Sequence, residues 1–132
     1  MKRTEKYPTT ATYKFENLNP KGRLKTGDCV FRAISSATGK EWCEVVRELA
    51  EQACETGCAP NFKDNYGLYL ERLGFKKHAQ PRHADRTKYT MKEFCHEHQH
   101  GTFIVKLPGH LTVVKNGQCR DTWDCSKFDS RV

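Results

Sequence analysis

Apolar residues follow a helical period through the first two thirds of the chain and a strand period near its end. Val30, Ala33, Ile34 and Ala37 recur at helical spacing and predict a helix from Asp28 or Cys29 to Ala37, its stripe facing the core. Thr38-Gly39-Lys40-Glu41 interrupts it, and Thr38 with Glu41 has the spacing of a capping box. The next helix is expected over 41–56, with Trp42, Val45, Val46, Leu49, Ala50 and Ala53 on one face. Glu44, Arg47, Glu48 and Glu51 lie mostly on the other, and Gly57 is the expected C-cap. A third helix over 62–73 turns Tyr66, Tyr69, Leu70 and Leu73 inward. Residues 75–89 are basic and poorly patterned; Thr90-Met91-Lys92-Glu93 is a second capping box, opening a short helix to about His98. The period then becomes two: Thr102–Leu107 and His110–Lys115 read as strands. Asn116-Gly117 is the strongest short hairpin signal, and Gln118–Trp123 returns antiparallel. Upstream, Asn17–Gly27 reads as a loop, and the alternation of Thr10–Phe15 as an edge strand or a packed arm. Helices first and strands last predict an α+β fold, with N-terminal helices packed on a C-terminal antiparallel sheet.

A chain of 132 residues fits one domain, 1–132, with residues 1–20 as a possible N-terminal arm. The net charge of +7 admits an acidic partner. The basic residues are scattered outside the N-terminus and the 76–92 region, and no aromatic-interleaved basic motif occurs, which argues against nucleic-acid binding as the main role. No apolar run suits a membrane span, and Met1-Lys2-Arg3-Thr4-Glu5-Lys6 lacks the apolar stretch of a signal peptide. Seven cysteines without a CxxC pair or an export signal point to free thiols in a reducing cytoplasm.

One of those cysteines changes the picture. In Thr26-Gly27-Asp28-Cys29-Val30-Phe31-Arg32-Ala33-Ile34, a polar turn delivers Cys29 to the start of a helix. Unpaired N–H groups and the positive end of the helix dipole favour thiolate there. A nucleophile needs a base, and His110 at the start of its strand is the candidate. If Asn116-Gly117 is a two-residue turn, His110 faces Trp123 and Thr112 faces Asp121. His110, Asp121 and Trp123 then share a sheet face, and Asp121 accepts a hydrogen bond from the imidazole while Trp123 shields it. Asp124 points to the opposite face and is the second choice. The oxyanion contacts are expected from the backbone N–H of Cys29 and the 23–28 turn, where Thr26 and Asp28 lie. On this reading Asp121→Ala leaves the melting temperature nearly unchanged, and Asp121→Asn is mild.

This order of residues resembles the papain-like cysteine peptidase superfamily. Asp121-Thr122-Trp123 stands where papain relatives carry Asn-Ser-Trp after their histidine. Gly27-Asp28-Cys29-Val30-Phe31-Arg32-Ala33 is also similar to the nucleophile segment of ovarian-tumour-type deubiquitinases, Asp-Gly-Asn-Cys-Leu-Phe-Arg-Ala, with Thr26 in place of the leading Asp. Small papain-fold proteins of bacteria and phages share the Gly-His strand and the Asp-Thr-Trp ending, a likeness spanning roughly residues 27–126. One position departs: Arg23 stands where the papain pattern has Gln, six residues before the cysteine, and no Gln precedes Cys29. The resemblance implies a papain-like fold and a Cys29, His110, Asp121 triad. It also implies hydrolysis of a peptide or isopeptide bond in a protein or peptide substrate through an acyl-enzyme, without metal or cofactor.

Three other readings remain. The same thioester can pass to a small amine, which is acyl transfer. The fold can serve as a non-enzymatic, phage-type inhibitor or binding protein. The run Cys95-His96-Glu97-His98-Gln99-His100, with Cys54 and Cys58, can hold structural zinc in a nucleic-acid binder, although a solvated helix end is the expected state of that run.

Overall fold

The structure, a computed structural model, describes residues 2–127 and 130–132. Met1, Phe128 and Asp129, which the 1–132 domain includes, lie outside the described residues. The elements run α1 (Arg3–Lys6), β1 (Tyr13–Phe15), α2 (Cys29–Thr38), α3 (Trp42–Thr56), α4 (Lys63–Arg72), α5 (Met91–Glu97), β2 (Thr102–Leu107), β3 (His110–Lys115) and β4 (Gln118–Asp121). The fold is α+β, and no helix is long and apolar enough to cross a membrane.

The sheet order is β1-β4-β3-β2. Strands β2, β3 and β4 are antiparallel, but β1 pairs parallel to β4, with Tyr13 beside Cys119 and Phe15 beside Asp121. The expected all-antiparallel sheet is therefore mixed. The alternation around Tyr13 does mark an edge strand. Its direction is set by a partner far along the chain, and no local turn encodes that.

Both sheet faces are covered. Val30, Ala33 and Ile34 of α2 pack with Val45, Leu49, Tyr69 and Leu111 on one side. Met91, Phe94 and Cys95 of α5 pack with Val105, Leu107, Val114, Cys119, Tyr7 and Tyr13 on the other. Leu111 and Val114 have opposite parity on β3, and each meets a different helix layer. This is why Leu111–Val114 are buried without interruption instead of alternating. The helices thus flank the sheet; they do not lie on one side of it.

The hairpin between β3 and β4 has the register of a two-residue turn, pairing Lys115 with Gln118 and Val113 with Arg120. Asn116 (φ 49°) and Gly117 (φ 78°) both adopt the positive φ that such a turn requires. A Cβ on Gly117 would also lie 2.5 Å from Nε2 of Gln99. The Thr90 and Glu93 capping box forms with both of its hydrogen bonds. The Thr38 and Glu41 box does not. Gly39 closes α2, the Thr38 hydroxyl donates back to the Ile34 carbonyl (2.7 Å), and Glu41 begins α3 with no side-chain cap bond. Leu73, expected inward, is 38% exposed because α4 ends at Arg72 and the chain leaves the buried face.

The first turn of α4 is anchored by Asn65, which is fully buried. Its amide donates to the carbonyls of Leu49 (3.1 Å) and Pro60 (3.0 Å) and accepts from Gln52 Nε2 (3.0 Å) and Thr56 Oγ1 (3.0 Å). Asn65→Ala removes all four of these bonds, although Gln52 Nε2 keeps the Asn65 backbone carbonyl (2.6 Å), and at about 1–3 kcal/mol for a buried group left unpaired it should cost ~2 kcal/mol. The urea midpoint measures this; a shift under ~0.5 kcal/mol would show that water replaces the amide.

Candidate active site

Three element ends meet at one end of the sheet. Cys29 is the first residue of α2, His110 the first of β3 and Asp121 the last of β4. His110 follows directly on the Pro108-Gly109 turn, so its ring stands where the strand ends and a helix from across the sheet can reach it.

The histidine is held from three sides. Its Nε2 donates to Asp121 Oδ2 at 2.6 Å, across the diagonal that the hairpin register creates. The Trp123 ring lies 5.1 Å from the imidazole, tilted by 51°, and covers the pair. The Cys29 thiol comes from the start of α2 close enough to the imidazole for each to shift the other, and since Nε2 is taken by Asp121, Nδ1 is the nitrogen left for sulfur. Asp124 takes no part; its carboxylate accepts from the Ser126 N–H (2.9 Å) and hydroxyl (2.6 Å) and turns the chain after β4.

Asp121 is 2% exposed and uses both oxygens. Oδ1 accepts from Arg32 Nη1 (2.7 Å) and the Thr122 N–H (2.7 Å). Oδ2 takes the imidazole N–H, with the Cys125 thiol at 3.6 Å. Arg32 continues the chain of charges: its Nε donates to Asp28 Oδ1 at 2.9 Å. Asp28 also accepts from Asn19 Nδ2 (3.0 Å) and Trp42 Nε1 (3.1 Å), and the Thr26 side chain bonds it too. The site therefore alternates in sign from Asp28 through Arg32, Asp121 and His110 to Cys29.

These contacts set the protonation states. Burial opposes charge on His110, but Asp121 and Cys29 outweigh it and push the imidazole up to about 9. Burial likewise opposes the Cys29 thiolate, yet the His110 hydrogen bond, the Leu111 N–H, and the charges of His110 and Arg32 lower the thiol below its ordinary value. Asp121 is held down to about 2, against its burial, by His110, the Thr112 hydroxyl and Arg32. The two shifts run in the direction that favours a thiolate–imidazolium pair, with the Asp121 carboxylate fixed behind it.

Asp28 is not the oxyanion donor that its place in the 23–28 turn suggests. An ionised carboxylate accepts hydrogen bonds and cannot donate one to an anion. Asp28 is engaged by Arg32, Asn19 and Trp42. Sequence reading gave Arg32 no role, although Asp28 and Arg32 stand at the i,i+4 spacing of a helical ion pair. Nothing local signals its second partner, Asp121, 89 residues away.

The zinc constellation does not assemble. Among the described residues, the group of three metal-capable side chains whose ligand atoms lie within 4.8 Å of one another is His110, Asp121 and Cys125. It does not fit a metal: burial pushes the Cys125 thiol far up, and the Arg32 guanidinium already occupies Asp121 at 2.7 Å. His98 stacks on Phe94 at 3.8 Å, and the Cys95 thiol is buried and pushed up to about 12. A groove of about 480 Å³ lies at the far end of α2, between Ser35–Cys43 and Leu18–Pro20, and includes none of the triad residues.

Acid should weaken this network in a defined direction. A carboxylate held at about 2 contributes stability above its unfolded value, near ~3.9, and loses it as pH falls toward about 2. Denaturant midpoints between pH 5 and 2 should fall less steeply in Asp121→Ala than in the wild type; parallel slopes would contradict the low Asp121 value. A scan of protein-family models, of curated proteins and of solved structures found no match for this chain.

Proposed function

We propose that this protein is a cysteine-peptidase-like thiol hydrolase on a papain-like fold, cleaving a peptide or isopeptide bond of a protein or peptide substrate. The observation that carries the reading is the continuous contact from Cys29 through His110 to Asp121, with the thiol lowered and the imidazole raised. Sulfur attacks the scissile carbonyl, the C–S bond forms and charge moves to the carbonyl oxygen. The Cys29 backbone N–H at the start of α2 is one donor to that oxygen. His110 then gives its proton to the departing amine, leaving a thioester. A water loses its proton to His110 as it attacks, the acid product departs and the thiolate–imidazolium pair is restored. Asp121 keeps Nε2 protonated and orients the ring throughout. A helix-borne cysteine facing a strand-borne histidine, with Trp123 over the His110–Asp121 bond, supports the papain-like assignment. The seven free thiols support a cytoplasmic setting, and the +7 charge favours an acidic partner.

Limiting iodoacetamide at pH 6, followed by peptide mapping, tests the proposal. Cys54 is exposed and Cys58 partly so, yet an ordinary thiol is under ~1% ionised at that pH. Cys29 should label first despite being only partly exposed. Faster labelling of Cys54 or Cys58 would remove the activated thiolate. A panel of acyl-type thiol probes then identifies the substrate class.

A further inference from the structure

The proton that His110 surrenders leaves Asp121 behind. When His110 is charged, the Asp121 carboxylate faces two cations, with Arg32 Nη1 at 2.7 Å from Oδ1 and the imidazole Nε2 at 2.6 Å from Oδ2. The leaving amine takes the Nδ1 proton, and through the life of an acyl-enzyme the imidazole is neutral. Asp121 is then an anion at 2% exposure, and an isolated buried carboxylate is costly enough to take up a proton. Other groups around the pair bring no compensating charge. Cys29 faces His110 from α2, the Tyr13 hydroxyl of β1 donates to the Asp121 carbonyl at 2.9 Å, and the Cys125 thiol lies 3.6 Å from Oδ2. Arg120 lines the small cavity beside Cys29 and Asp121 but, among the described residues, makes no ion pair there; Glu16, in the same cavity, accepts from Ser36. Arg32 keeps its proton at every working pH. It is 13% exposed and Asp28 holds its Nε at 2.9 Å, so the guanidinium stays aimed at Asp121 whatever the state of His110.

We propose that Arg32 is a positioning residue for the hydrolytic step, the standing countercharge that keeps Asp121 anionic and oriented while His110 is neutral and acts as a base. This role rests on the thiol-hydrolase reading. In the acyl-enzyme, His110 Nδ1 takes a proton from the attacking water as the water oxygen bonds to the thioester carbon and the carbonyl π pair moves to oxygen. Collapse re-forms the carbonyl, the C–S bond breaks and its pair returns to sulfur. Without the guanidinium, the His110–Asp121 pair holds its shared proton more tightly, and the ring is an idle, protonated base at neutral pH. Asp28 works in the opposite sense, because its negative charge offsets part of the Arg32 charge that Asp121 feels.

The full chain acetylated with p-nitrophenyl acetate tests this role, with the decay of acetyl-Cys29 timed by mass spectrometry across pH. The decay needs a neutral His110, so its midpoint reads the pH at which the ring loses its proton. Removing a neighbouring positive charge moves that midpoint up. Arg32→Gln should raise it by about one pH unit, seen as ~10-fold slower decay at a fixed pH below it. Arg32→Lys keeps the charge and should move it less than half as far, and Asp28→Asn should move it down. A purely structural part would lower the melting temperature and leave the midpoint in place. An unmoved midpoint in Arg32→Gln, or equal movement in Arg32→Gln and Arg32→Lys, overturns the proposal. If Arg32→Gln does not fold, Asp28→Asn decides alone, and a midpoint that stays or rises there overturns it. Wild-type acetyl-Cys29 that decays no faster than acetyl on the exposed Cys54 would instead remove the thiol-hydrolase reading, and the Arg32 role with it.

Discussion

Replacing His110 with alanine should lower turnover of a peptide from a fluorogenic amide library by about 100- to 10,000-fold, with the fold retained. The ring does two jobs: its charge holds the thiolate, and its proton leaves with the amine. The pH profile separates them. In the wild type, activity rises with pH as Cys29 ionises below its ordinary value. It falls again as pH passes about 9, because the imidazolium that protonates the amine is lost there. Without the ring, the thiol should return toward the ordinary ~8.5 and alkylation by iodoacetamide should climb through that value with no step near neutrality. Activity within a few-fold of wild type, or an unshifted alkylation profile, would dissolve the pair.

Asp121→Asn should be nearly as damaging as Asp121→Ala, contrary to the mild effect expected from sequence. A carboxylate offers acceptors on both oxygens, and here both are used: Arg32 and the Thr122 N–H on Oδ1, His110 on Oδ2. An amide has one acceptor. If its oxygen faces Arg32, its NH2 meets the His110 nitrogen and forces the wrong tautomer. If its oxygen faces His110, its NH2 meets two donors, one of them charged. Stability should suffer as well as turnover. Arg32 and Asp121 are 13% and 2% exposed, and breaking a buried pair from one side costs about 3–5 kcal/mol. Asp28 still contacts Arg32, which puts the loss toward the lower figure. Asp121→Ala therefore lowers the melting temperature, where a purely orienting residue would not. Asp124→Ala loses only its bonds to Ser126 and should leave Cys29 chemistry intact. Turnover and urea midpoints of the three variants decide the matter. A stable, active Asp121→Asn would show that Arg32 does not depend on this carboxylate.

The parts of the site legible in sequence are those with a local cause. Asn116-Gly117 takes positive φ at both positions, and that alone sets the register that places Asp121 diagonally from His110. The turn through Gly27 and the apolar stripe Val30, Ala33, Ile34 bring α2 to begin at Cys29. Thr90 and Glu93 cap α5 through neighbours three residues apart. Long-range pairings leave no such mark. The parallel direction of β1, the placement of α5 opposite α2 and the Arg32 bond to Asp121 each join segments separated by many residues. Periodicity reports that a residue faces inward; it cannot report what waits there. Asp121 reads in the sequence as an orienting carboxylate on a hairpin, and only the packed chain makes it the anion that two buried cations share.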